Sequence, residues 1–407
     1  MKRRLKRALI AASLAAATVA GTTGLALGAE QTPVTGPAPG AAAWRTDDSL
    51  GRALPDPATA GPERVAAFFA GLDAAQVRTL ARRHPLTVGN LDGAPVRVRY
   101  RANKLALKNA RESELSRAAD PELTAQDHRL ARAKADRYSS LLAPRHRILA
   151  FDPRGRGQVA EVYGDLPHAD RTAVIVPGSD IDLGTFDAGG KNHYGKPAGM
   201  ATSLRAEMTR RAPATRTAVI AWVGYTTPVG LGPDAATGRL AEAGAPRLER
   251  FLHGLARTGA PAPALLCHSY GSVVCGEAAS SLDRRDARDM LVFGSPGMRA
   301  GSASALRTRV PVWAAHSEKD WIGEIPNVSV LGLGHGADPA GADFGARVVS
   351  SGRADGHAGY LKPGTDSLAN FSAVALRSYG SVHCSAASKE CSDARSKTRS
   401  DARSEAG

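Results

Sequence analysis

Apolar positions change their spacing along the chain, and each change marks a different kind of element. Across residues 63–83, Val65, Phe68, Phe69, Leu72, Val77, Leu80 and Ala81 recur at three- and four-residue steps, which predicts helix. Asp73 stands where an N-cap would open a second helical stretch at Ala74. Residues 85–93 read as a loop, and 95–136 return to charged, helix-like sequence. From Arg147 short apolar runs take over. Residues 147–151 and 158–163 flank Pro153-Arg154-Gly155-Arg156-Gly157, a hairpin signal. Buried strands are predicted over 172–176, 217–223, 263–267, 290–293, 310–315 and 346–350. Helices are predicted over 200–211, 234–255, 272–282 and 368–377. Such alternation specifies an α/β class fold: a mostly parallel sheet covered by helices on both faces.

The organisation of the chain follows from these runs. Lys2, Arg3, Arg4, Lys6 and Arg7 precede an alanine-rich apolar stretch over 8–27, and Ala26-Leu27-Gly28 supplies small residues for cleavage. Residues 1–28 therefore read as a signal peptide, with export to the cell envelope or the medium and no stable membrane span after cleavage. Its many Ala, Thr and Gly residues make it a poor permanent span. Residues 29–60, rich in Pro, Gly, Ala and Thr, read as a flexible leader. Residues 61–146 form a mainly helical region, 147–383 the sheet-bearing domain, and 384–407 a disordered polar tail.

Composition narrows the function. The 407 residues carry a formal net charge of +14, but the cations are scattered and aromatics make up 5% of the chain. The stacking platforms of nucleic-acid binders are missing, so a nucleic-acid partner is not expected. Cys267 and Cys275 read as buried free thiols. Cys384 and Cys391 are spaced to close a small local loop, although sequence alone does not choose a pairing. No Cys-x-x-Cys spacing, Gly-x-Gly-x-x-Gly or phosphate loop is present, so no metal or organic cofactor is implied.

The chemistry concentrates in Cys267-His268-Ser269-Tyr270-Gly271-Ser272. A serine between a buried strand and a helix is the pattern of a nucleophile elbow, which lifts the hydroxyl above the sheet beside a helix N-terminus. The usual motif is Gly-x-Ser-x-Gly, and here Cys267 replaces the first glycine.

Residues 147–377 resemble the α/β-hydrolase superfamily, which has eight strands and carries its nucleophile after the fifth. Within it the chain is similar to a branch of bacterial domains of unknown function. That branch carries a His-Ser-Tyr-Gly-Ser elbow, a Val-Pro-Gly strand end and a Val-Gly-Asn-Leu-Asp-Gly segment, here His268–Ser272, Val176–Gly178 and Val88–Gly93. The resemblance implies the order serine, acid, histidine. Ser269 is then the nucleophile. Asp320, after the seventh strand, is the acid, with Glu318 as its alternative. His357, after the eighth, is the base, with His335 as the competitor that the order disfavours. Tyr270 N–H and the Ser179 or Gly178 N–H would form the oxyanion hole.

Trp222, Tyr225, Phe186 and His268 follow strand ends and are candidate pocket walls, with core packing the alternative for Trp222. The helical region before Arg147 is a candidate cover. The expected activity is hydrolysis of a small-molecule or lipid-like carboxylic ester through an acyl-enzyme. An amidase or peptidase on the same triad, or a catalytically silent binding protein of the envelope, are the alternatives. Nothing in the sequence sets the oligomeric state.

Overall fold

The computed structural model describes residues 30–325, 333–386 and 388–404; the signal peptide expected over 1–28 lies outside them. Among the described residues, six helices precede the first strand: α1 (Ala41–Arg45), α2 (Pro62–Ala70), α3 (Ala74–Arg83), α4 (Pro85–Asn90), α5 (Val96–Ala118) and α6 (Ala125–Leu141). Asp73 caps α3 as expected. Its carboxylate accepts from the Ala75 and Gln76 N–H groups, and the Gln76 side chain accepts from the Asp73 N–H.

The strands are β1 (Ile148–Asp152), β2 (Gln158–Gly164), β3 (Arg171–Val176), β4 (Thr217–Val223), β5 (Ala264–His268), β6 (Asp289–Phe293), β7 (Gly297–Ala300), β8 (Val312–Ala315), β9 (His335–Gly336) and β10 (Arg347–Val348). Eight of them form one sheet in the order β1-β2-β4-β3-β5-β6-β8-β10, and β7 pairs with β9 in a second, two-stranded sheet. Strand β2 runs antiparallel to both of its neighbours, whereas β3 to β10 of the large sheet are parallel. Helices α7 (Pro197–Arg211), α8 (Pro233–Ala236), α9 (Arg239–Ala256), α10 (Gly271–Ala278) and α11 (Asp366–Ala375) connect or flank the strands, and α12 (Lys389–Ser404) closes the described chain.

The period of two along each strand divides the core into two layers. Val174, Val176, Ile220, Trp222, Leu265 and Val292 face α9 and α10. Ala173, Ile175, Val219, Ala221, Leu266, Leu291 and Phe293 face α7 and α11. Truncating a fully buried side chain such as Leu266 to alanine would cost about 2–5 kcal/mol. The chain moves outward from β3 to β4, then returns past β3 to lay down β5. The ends of β3 and β5 therefore meet at a switch point, where open α/β sheets bind ligands.

Several expectations need correction. Residues 85–90 form helix α4 rather than loop. Pro85 pre-sets its first turn, and Asn90 donates to the Leu86 and Phe151 carbonyls, so docking onto β1 decides the conformation. The leader over 29–60 is not free in its described part. Gln31 N–H donates to Asp234, Val34 N–H to Thr226, and Trp44 is fully buried with its indole N–H on the Pro55 carbonyl.

The predicted helix over 234–255 is interrupted at Thr237 and Gly238. Cys267 and Cys275 are joined in a disulfide, because strand and helix bring their Cα atoms to 6.5 Å. Beyond residue 384 the chain runs along the exposed edge of β10 before α12. Ser385 N–H donates to Val348 and Val348 N–H to the Ser388 hydroxyl, while Cys384–Cys391 is a second disulfide. Covering an unpaired sheet edge gives this polar segment a partner that its composition does not reveal.

Candidate active site

Strand β5 ends at His268 and α10 begins at Gly271, so Ser269 and Tyr270 make the whole turn. Ser269 adopts a left-handed backbone, φ 55°, which few non-glycine residues sustain. Two contacts hold it there. Its N–H donates to the Phe293 carbonyl at 3.1 Å, and its own carbonyl accepts from the Ser272 hydroxyl at 2.6 Å. Ser272 is in turn tied to Ser295 and to the Gly297 carbonyl. Gly178, at the end of β3, lies against the elbow so closely that an added Cβ would fall 2.5 Å from the Ser269 Cβ. Only glycine permits that approach.

Asp320 and His357 come together as the chain order implied. Asp320 follows β8 with its side chain fully buried, and His357 Nδ1 lies 2.9 and 3.0 Å from its two carboxylate oxygens. Asp320 also accepts from the Ile322 N–H and the Tyr360 hydroxyl. Burial alone would raise its pKa. The His357 hydrogen bond and charge, with the Ile322 and Tyr360 bonds, outweigh burial and hold it below the usual carboxylate value. A buried anion on Nδ1 fixes the tautomer that leaves Nε2 free to accept a proton.

His268 supports the imidazole from beneath. Its Nε2 lies 2.9 Å from the His357 carbonyl, so it carries the proton and donates, and its ring centroid is 4.7 Å from that of His357. Burial, then repulsion by His357, pushes the His268 pKa down to about 3, so the ring stays neutral at ordinary pH. Trp321 also packs against His357, with centroids 4.8 Å apart. Among the described residues no hydrogen bond joins the Ser269 hydroxyl to the imidazole. Such contacts often tighten only once substrate is bound.

The backbone N–H groups of Gly178, Ser179 and Tyr270 donate to no acceptor among the described residues. Gly178 and Tyr270 adjoin, since the Cβ added at Gly178 would lie 3.0 Å from Tyr270 N. Unpaired donors beside a serine hydroxyl are what an oxyanion requires.

The alternatives sit elsewhere. Glu318 is exposed, and His335 packs edge-on against Tyr270 with Nε2 on the Ala235 carbonyl, away from Asp320. Of the candidate walls, Trp222 and Tyr225 stack in the core and Phe186 lies under Arg137, leaving only His268 at the triad. Among the described residues, the helices of the candidate cover make hydrogen bonds with β1 and α9 and not with the Ser269 turn. They dock on β1 through Arg99 to Leu149 and on α9 through Glu63 to Arg257. A cavity of about 390 Å³ lies between these helices, the leader and β2, lined by Asn90, Gln158, Trp222 and Arg247, and it includes none of Ser269, Asp320 or His357. Sequence reasoning missed Tyr360 and Trp321. Both sit within three residues of a proposed triad member, which was the one signal available.

The sheet order is that of the α/β-hydrolase fold. Similar solved structures include a CIB-like hydrolase from Thermoplasma acidophilum, with TM-score 0.33 and 9% identity over 57% of this chain and 95% of that one. Another is 2,6-dihydroxy-pseudo-oxynicotine hydrolase, with TM-score 0.35 and 12% identity over 84% of this chain and 94% of that one. Two curated relatives, each described as an uncharacterized protein and found in two strains of Mycobacterium tuberculosis, are 29% identical over 380 residues. The match covers 79% of this chain, which spans 56% of their length. Residues 152–330 match the model of a family described as alpha/beta hydrolase.

Proposed function

We propose that this chain is an exported serine hydrolase that cleaves a carboxylic ester through an acyl-enzyme on Ser269, His357 and Asp320. The observation that carries the reading is the buried Asp320–His357 pair beside an elbow serine with unpaired N–H donors next to it. Ser269 Oγ attacks the carbonyl carbon and passes its proton to His357 Nε2. The Tyr270 N–H, with that of Gly178 or Ser179, receives the developing oxyanion. Collapse expels the alkoxide, which takes the proton from Nε2 and leaves as an alcohol. Water then attacks the carbonyl carbon of acyl-Ser269 as His357 Nε2 takes its proton. The acyl–Oγ bond breaks, Nε2 returns that proton to Ser269 Oγ, and the acid departs and ionises to the carboxylate. An amide would follow the same steps, with the amine leaving in place of the alcohol. Two disulfides among the described residues support an oxidising compartment and hence export.

Incubation with a fluorophosphonate probe tests the reading. Wild type should be labelled and Ser269→Ala should not. The missing Ser269–His357 hydrogen bond favours a second reading, a catalytically silent binding protein, and an unlabelled wild type would establish that one instead.

A further inference from the structure

Four large hydrophobic side chains are exposed among the described residues: Leu115, Leu130, Leu231 and Trp321. Leu115 and Leu130 lie on α5 and α6 of the helical region, and Leu231 lies in the loop after β4. Trp321 alone touches the proposed triad. It follows Asp320 directly, and the Asp320 carboxylate caps the short turn Trp321–Glu324 through the Ile322 N–H. Ile322 is buried and anchors that turn, which leaves Trp321 projecting outward at 42% exposure. The Trp321 ring lies 4.8 Å from that of His357, centroid to centroid, tilted by 45°. The imidazole thereby has two ring neighbours, buried His268 and half-open Trp321.

Resting on the hydrolase reading above, we infer that Trp321 forms the leaving-group subsite and selects esters whose alcohol portion is aromatic. The departing oxygen must lie at His357 Nε2 to take its proton, so the group attached to it leaves past the ring that packs on that imidazole. An indole with solvent on its free side offers a flat apolar surface there, and aromatic rings stack on such surfaces with more affinity than a short alkyl group. A Trp that served only to position His357 would affect every substrate alike.

The test compares kcat/KM of wild type, Trp321→Ala and Trp321→Phe toward phenyl acetate and ethyl acetate, which share one acyl group. Trp321→Ala should lose roughly tenfold on phenyl acetate and less than twofold on ethyl acetate, with Trp321→Phe restoring most of the loss. Equal losses on both esters would overturn the subsite and leave a positioning role. If wild type hydrolyses neither ester, the hydrolase reading fails for these substrates, and a second arm decides the subsite by itself. In a nitrogen–proton correlation spectrum of Ser269→Ala, the indole signal lost in the further variant Trp321→Phe should shift as phenol is added. An unmoved signal would overturn the subsite whatever the chemistry.

Discussion

The Asp320 carboxylate is held by His357, the Ile322 N–H and the Tyr360 hydroxyl, and these contacts give distinct expectations. Replacing it with Asn keeps the shape but offers His357 Nδ1 no anion, so kcat on an ester should fall by on the order of 10⁴-fold while the melting curve stays close to wild type. Tyr360→Phe removes one donor to Asp320 and the acceptor for the Ser317 N–H, and should cost about 1–3 kcal/mol by denaturant unfolding. The pairing of Asp320 with His357 was legible because residue types, order and strand ends limit the choice. The Tyr360 and Trp321 contacts were not, because they arise only once two loops fold against each other. His268 was legible as a residue near the site, but its bond to the His357 carbonyl joins positions 89 apart in sequence.

At the scale of elements, Cys267 shows how a departure from a motif gains a reason in three dimensions. The position normally held by glycine is spanned to Cys275, so β5 and α10 are tied together directly across the turn that holds Ser269. Reduction, or Cys267→Ala with Cys275→Ala, should lower stability by about 2–3 kcal/mol. It should reduce kcat more than it raises KM, because a looser elbow misplaces the nucleophile rather than the substrate. Unchanged kcat in the double variant would show that the strand and helix hold the turn without the link. The long strands and helices were readable from periodicity alone. The short strands β7 and β9 were beyond it, because so short an element is defined by its partner, whereas the strand read over 346–350 is present as β10. Likewise the polar composition of the leader and tail concealed that each docks on a waiting surface.

For the whole molecule, the sheet carries both the core and the proposed catalytic groups, so acid should act on both. His268 is neutral when folded, its pKa pushed down by burial to about 3 from the ordinary histidine value of about 6.5. Its folded value is depressed, so the unfolded chain binds the extra proton between those limits, and stability is lost as pH falls from about 6.5 toward about 3. Asp320, also held low, acts in the same direction. Unfolding free energy should drop across this window, by up to roughly 5 kcal/mol from His268. His268→Gln should flatten the slope, and an unchanged slope would mean the ring is not buried neutral. The most direct test of the central claim is to react the protein with a fluorophosphonate and locate the adduct by peptide mass spectrometry. One adduct is expected, on Ser269, forming at least a hundredfold more slowly in His357→Ala. An adduct on another residue, or an equal rate without the imidazole, would contradict it.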